Sequence, residues 1–255
     1  MARGVEVWMD DISLRSVSPK ILLQRISEAV PQMDILYAAN ARGPGRRIVR
    51  ANALSRKITL EIQIRETRDL PMRARIVRDI NEWAAGHVLK TSNRPGQHLR
   101  VTCVALAAVG DARDYTDTMR VEFESSPIPY WQDDAETEIS MSGQSGSGRL
   151  DVQGSAETVI TGRVTPKAGT LGEMTITAGE TGFHLAGLAA TPSAPLEIWY
   201  DHRGYLAITA GRESCMPARA ANSADDLIAQ PPGVDVSFTA DVACDVTLRA
   251  RGRWN

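Results

Sequence analysis

Between Thr59 and Arg65 apolar and polar residues alternate without a break. Leu60, Ile62 and Ile64 fall on one face, and Thr59, Glu61, Gln63 and Arg65 on the other. A two-residue period with one apolar face predicts a half-buried strand. Leu99–Leu106 and Arg120–Glu124 also read as strands. The first is nearly all apolar, so it is expected to be covered on both faces, with Cys103 in the core. Between Thr59–Arg65 and Leu99–Leu106 the period lengthens. Met72, Ile76, Ile80, Trp83 and Ala84 recur at three- and four-residue spacing, which predicts one helix over about residues 71–85. Ile76, Ile80 and Trp83 on that stripe are expected core anchors. Asp69 is placed to cap the helix, Pro71 suits its first turn, and Gly86 marks its end. Ile21–Val30 fits either period and stays open between helix and strand.

The second half carries strand and turn signals only. Thr158–Val164, Met174–Ala178, Phe183–Leu188, Leu196–Tyr200, Tyr205–Thr209, Val234–Ala240 and Val246–Arg251 are short β-like runs. Pro166, Gly179–Gly182, Pro192–Pro195, Asp201–Gly204 and Pro231–Gly233 separate most of them. Short strands at this spacing predict a β-sandwich. Before them, Gln132–Arg149 passes from acidic residues into a Gly/Ser run, the composition of a flexible connector. The expected division is therefore a first domain over 1–133, a linker over 134–149 and a sandwich over 150–255.

Charge shifts at the same place. Residues 1–133 hold 20 basic and 16 acidic side chains, and residues 134–255 hold 9 and 15, so +4 gives way to −6. Neither half is basic enough to follow a nucleic-acid backbone, which argues against specific DNA or RNA binding. With 43% apolar and 24% charged residues, the 255-residue chain is globular in composition. Its longest apolar run, Val101–Val109, is far short of the roughly 20 residues of a membrane span. The N-terminal residues show no apolar export signal, and no membrane insertion is expected. Cys103, Cys215 and Cys244 are odd in number and widely spaced, so no disulfide framework or zinc knuckle is expected. Spacing leaves open whether Cys215 and Cys244 pair.

Candidate chemistry is sparse. His87, His98, His184 and His202 have no partner at metal spacing, and His184 reads as a structural residue within a strand. Gly143–Leu150 imitates a phosphate loop, yet Arg149 and Leu150 stand where lysine and a hydroxyl are needed. Adjacent carboxylates such as Asp10–Asp11, Asp133–Asp134 and Asp225–Asp226 point to opposite faces of an extended chain, which is no acid/base pair. The expectation is a non-enzymatic chain without catalytic residues, cofactor or metal. The most basic segment is Arg42-Gly-Pro-Gly-Arg-Arg47, with Arg50 three residues on. We read it as a projecting loop whose arginines Arg42, Arg46, Arg47 and Arg50 meet acidic groups of a neighbouring subunit or partner protein, with solvated surface or a nucleic-acid contact as the alternatives. The cluster Pro127-Ile-Pro-Tyr-Trp131 reads as a packing anchor at a domain end, centred on Trp131.

The order of these features resembles the distal tail protein (Dit) family of long-tailed phages and prophages, the siphovirus tail hub. The resemblance runs through Ile21-Leu-Leu-Gln-Arg-Ile-Ser-Glu28, the loop Arg42–Arg47 and the strand Arg56–Arg65. It continues through the helix Arg73–Trp83, the strand Leu99-Arg-Val-Thr-Cys-Val104 and Val121–Trp131. In the second half Leu196-Glu-Ile-Trp-Tyr-Asp201, Ser223-Ala-Asp-Asp-Leu227 and Arg251-Gly-Arg-Trp254 carry it. The resemblance implies a mainly β chain with one helix. An N-terminal β-sandwich or split barrel would form the ring, and a galectin-like sandwich would follow it. It makes Ile21–Val30 a strand. It implies a structural virion protein, a homohexameric ring at the far end of the tail, assembled in the host cytoplasm. The ring would join the tail tube protein to a tail-tip protein, lysin or fibre, and in some phages to receptor-binding proteins. The alternative function is a carbohydrate-binding module or adhesion protein, resting on Trp131, Trp199 and Tyr200 and directed at a cell-wall saccharide.

Overall fold

The computed structural model describes residues 5–39, 46–65, 69–109, 117–125, 128–201 and 204–255. The chain divides into two compact units, Met1–Trp131 with Asn255, and Gln132–Trp254. Both are built mainly of antiparallel strands.

The first unit runs β1 (Val7–Met9), β2 (Ile12–Ser13), α1 (Leu14–Val17), β3 (Ile21–Glu28), β4 (Gln32–Ala39), β5 (Arg46–Ser55) and β6 (Lys57–Ile64). It continues with α2 (Leu70–Ala84), β7 (Val88–Thr91), β8 (Gln97–Val109) and β9 (Asp117–Ser125), and β10 (Trp131–Asp133) straddles the boundary. The main sheet has the order β2-β1-β7-β8-β9-β6-β3. In β6 the alternation extends to Ile58, so that Ile58, Leu60, Ile62 and Ile64 all face the core. Of Ile21–Val30, the residues Ile21–Glu28 form a strand, paired along β6 from Ile21↔Ile64 to Glu28↔Ile58. The short helix α1 carries no periodic signal in the sequence and begins where Ser13 accepts a hydrogen bond from the Arg15 amide.

Asp69 caps α2 by accepting from the Met72 amide at 3.0 Å, and Pro71 stands in its first turn. Ile76, Ile80, Trp83 and Ala84 are buried. Met72 does not share the stripe's fate: it is 43% exposed in the first turn. Trp83 packs edge-on against Phe123, with ring centres 6.3 Å apart, and donates its indole N–H to the Ile12 carbonyl at 2.8 Å. Gly86 follows the helix where the Met9 side chain comes so close that a Cβ would overlap it.

The double covering expected for β8 is not found. Thr102, Val104, Ala105 and Ala107 are exposed, and Cys103 is only half-buried. A register shift between Cys103 and Ala105 sets Val104 outside the alternation. The open face reads as apolar because alanines occupy it, not because anything covers it.

The second unit contains β11 (Thr137–Asp151), β12 (Thr158–Pro166), β13 (Leu171–Ala178), β14 (Thr181–Ala190), β15 (Leu196–Tyr200) and β16 (Leu206–Ala210). After these come β17 (Glu213–Ser214), β18 (Ile228–Ala229), β19 (Gly233–Ala250) and β20 (Arg253–Trp254). The order is β14-β13-β19-β12-β15-β16-β17, with β11 along β19. Val234–Ala240 and Val246–Arg251, expected as two strands, are one strand of 18 residues. No Gly or Pro interrupts residues 241–245, so nothing turns the chain there. The early part of β19 pairs with β13 and the late part with β12, so a single strand serves both layers of the sandwich. Phe183, Phe238, Ile160, Ile176, Ile198 and Leu248 meet in the core between them.

The flexible linker expected over 134–149 is replaced by most of β11, which pairs with β19 from Thr137↔Ala250 to Asp151↔Gly233. The Gly/Ser run is a two-residue alternation. Ser145, Ser147 and Arg149 face solvent, while Gly146, Gly148 and Leu150 lie opposite Phe238, Val236 and Val234. A Cβ on Gly146 would stand 2.7 Å from Phe238 Cε1, and one on Gly148 2.5 Å from Ile139 Cδ1. These glycines provide room for larger neighbours, an effect that composition alone presents as flexibility.

Candidate functional site

β4 and β5 form a two-stranded sheet of their own, with Gln32↔Ser55 at one end of the pairing and Ala39↔Arg46 at the other. Apolar side chains lie open on it and at its entry: Val30 is 85% exposed, Leu36 57% and Leu54 51%, with Met33 and Ile35 also exposed. An isolated antiparallel pair is marginal in water, and clustered exposed apolar groups mark contact surfaces. This ribbon is the candidate assembly surface.

The basic segment belongs to the same ribbon. Arg46, Arg47 and Arg50 lie in β5 opposite Ala39, Ala38 and Leu36, so they are strand residues and not part of a projecting loop. Arg42 lies outside the described residues. The ribbon's charge is thus distributed along a paired strand, an arrangement that a Gly-Pro-Gly sequence alone does not reveal.

A polar node anchors the ribbon's base. β3 ends at Glu28, and Arg56 lies between β5 and β6. Arg56 is 2% exposed, and its guanidinium pairs with the Glu28 carboxylate and donates to the Pro129 carbonyl at 3.1 Å. The Trp131 indole donates to the same Glu28 oxygen at 2.8 Å. Arg94 reaches that oxygen at 3.2 Å and lies over the Trp131 ring, 5.1 Å from its centre. Trp131 is itself 1% exposed. A buried guanidinium is tolerable only when a carboxylate and hydrogen bonds meet it; Glu28 meets Nη1 and Pro129 meets Nε, while Nη2 has no partner among the described residues. The sequence marked Trp131 but missed Glu28, Arg56 and Arg94. Arg94 stands 66 residues from Glu28 and Trp131 stands 103, so only the fold brings them together.

His184 exchanges a 2.9 Å hydrogen bond with Thr175 and lies 3.6 Å from Glu173, cross-strand partners on an open sheet. Burial pushes the thiols of Cys103, Cys215 and Cys244 above their ordinary value, which disfavours thiolate at neutral pH. All three are free thiols, so Cys215 and Cys244 are not bridged. Among the described residues no three His, Cys, Asp or Glu side chains converge as a metal would require.

Comparison with known proteins places this architecture. No family model matches the chain, and no curated protein matches it by sequence. The fold, however, is similar to that of a phage protein of known structure. The crystal structure of Dit from phage SPP1 superposes with a TM-score of 0.70 at 13% identity, covering 98% of this chain and 99% of that one. That protein is described as a paradigm of the hub adsorption apparatus in phages infecting Gram-positive bacteria. The baseplate of phage P2 in its activated conformation with calcium gives a TM-score of 0.45 at 10% identity, over 99% of this chain and 98% of that one.

Proposed function

We propose that the chain is a distal tail protein, a structural part of a phage virion. Its copies close into a hexameric ring at the end of the tail, between the tail tube and the tail-tip and host-recognition proteins. The observation that carries this reading is the likeness to SPP1 Dit, which extends over both units and nearly every residue of each chain. The free ribbon β4–β5 supports it, because its open apolar side chains call for a partner, and a second copy supplies one at every position of a ring. Arg46, Arg47 and Arg50 on the same ribbon would meet carboxylates of the adjoining copy or of a neighbouring tail protein. In this role the chain does no catalysis and needs no cofactor. Assembly would take place in the host cytoplasm, with the finished ring at the virion's tail tip.

The ring determinants lie in the first unit. A fragment ending at Trp131 should still form closed oligomers, and a fragment from Gln132 onward should be monomeric. Sedimentation of the two fragments tests the assignment. A monomeric first fragment beside an oligomeric second one would overturn it.

A further inference from the structure

One outward face of the second unit has a composition unlike the ribbon's. Across β11, β19, β12, β15 and β16, one rung reads Ser140↔Thr247↔Arg163↔Glu197↔Thr209. The intervening residues Ile139, Leu248, Val164, Ile198 and Ile208 point into the core or pack against it, so the rung faces away from it. Three opposite pairs lie on this face and cancel: Arg249 with Glu138 at 2.8 Å, Arg163 with Glu197 at 3.9 Å, and Lys167 with Asp245 at 3.4 Å. Alternation puts Asp201 there as well, opposite Tyr205, with its carboxylate accepting from the Tyr205 amide at 2.9 Å.

Two aromatic rings interrupt this polar surface. Trp199 faces outward opposite Ala207, is 42% exposed, and directs its indole N–H at Thr209 Oγ1, 3.4 Å away. Tyr205 is 69% exposed. The antiparallel pairing continues beyond Tyr200↔Leu206, because the Asp201 amide donates to the Tyr205 carbonyl at 3.0 Å. Alternation along the strand therefore puts Tyr205 on the same face as Trp199, diagonally across the pair. Tyr200 lies on the opposite side, with its hydroxyl buried. Of the aromatic residues that suggested sugar binding in the sequence, Trp131 and Tyr200 are withdrawn into packing and only Trp199 is available. Tyr205 takes the second place.

The charge balance selects the occupant. A nucleic acid needs a net positive face, and a charged peptide needs an excess of the opposite sign. A neutral polyhydroxyl compound needs neither. The C–H face of a pyranose packs on an aromatic ring, and its hydroxyls both donate and accept. Hydroxyl, guanidinium and carboxylate groups beside the rings serve both directions. We propose that Trp199 and Tyr205 form the stacking platform of a site for a neutral saccharide, with Thr209, Glu197 and Arg163 bonding its hydroxyls. This inference rests on the second unit alone and is independent of the tail-hub reading.

The test uses the full chain on an array of neutral hexose and N-acetylhexosamine oligosaccharides, followed by calorimetric titration with any glycan captured. The expected result is capture of at least one neutral class, little affected by salt. Trp199→Ala should weaken binding at least tenfold, and Tyr205→Ala should weaken it less, both at unchanged melting temperature. Three outcomes would overturn the proposal. One is no binding tighter than about 1 mM to any array member. Another is equal binding by wild type and Trp199→Ala. The third is a Trp199→Ala chain that loses self-assembly, in which case the face is a protein interface.

Discussion

The ring of Phe238 lies against the backbone of Gly146, so closely that a Cβ there would stand 2.7 Å from Phe238 Cε1. Both residues are paired across β11 and β19, and Phe238 is at the centre of the sandwich core. Gly146→Val should therefore force Phe238 out of place and destabilise the second unit by about 1–3 kcal/mol. Ser147→Val, on the solvent side of the same strand, should leave stability within about 0.5 kcal/mol. Chemical denaturation of both variants checks the pair. Equal stabilities would mean that β11 is not packed as described. Limited proteolysis gives the same contrast: a connector is cut within 134–149, whereas a paired strand resists.

Trp83 unites helix and sheet through Phe123 and the Ile12 carbonyl. Trp83→Ala removes a buried indole and should cost about 3–5 kcal/mol. Melting temperature and soluble yield should both fall. A variant of normal stability that failed only in binding a partner would contradict this role.

Glu28 is the shared acceptor of Arg56, Arg94 and Trp131. Glu28→Ala leaves the Arg56 guanidinium buried without its carboxylate, at a cost of about 3 kcal/mol. Glu28→Gln keeps an acceptor for the indole but not the charge, so its loss should be smaller. Thermal denaturation ranks the three proteins. If Glu28→Ala melts with the wild type, the node does not hold the ribbon's base.

Arg46 and Arg47 lie in β5, on the ribbon proposed to join subunits. Reversing both, Arg46→Glu with Arg47→Glu, should weaken the proposed ring, and more at low salt, where charge is least screened. Each exposed pair contributes only about 0–1 kcal/mol, but a closed ring repeats it at every interface. Sedimentation at two ionic strengths reads the effect. Unchanged assembly at low salt would make these arginines solvated surface.

Periodicity was legible wherever one face met a core and the other met water. β6 and α2 are read correctly for that reason, down to the Asp69 cap. It failed where small residues took part. Ala105 and Ala107 disguise an open face of β8 as a covered one, and Gly146 with Gly148 disguise a packed strand as a connector. Ile21–Glu28 fits two periods, and its pairing with β6 decides between them. The polar node is illegible, Trp131 apart, because its charged members Glu28, Arg56 and Arg94 are scattered along the chain and each reads as an ordinary surface charge. The sequence puts Tyr205 in the run Tyr205–Thr209, but its place beside Trp199 is visible only once the Asp201 pairing is known.

The mass of the full chain in solution tests the central claim most directly. Sedimentation equilibrium or native mass spectrometry at micromolar concentration should give a single species near six times 27.7 kDa, closed and without larger adducts. A chain that stays at 27.7 kDa across that range, with or without its ribbon altered, would contradict the ring.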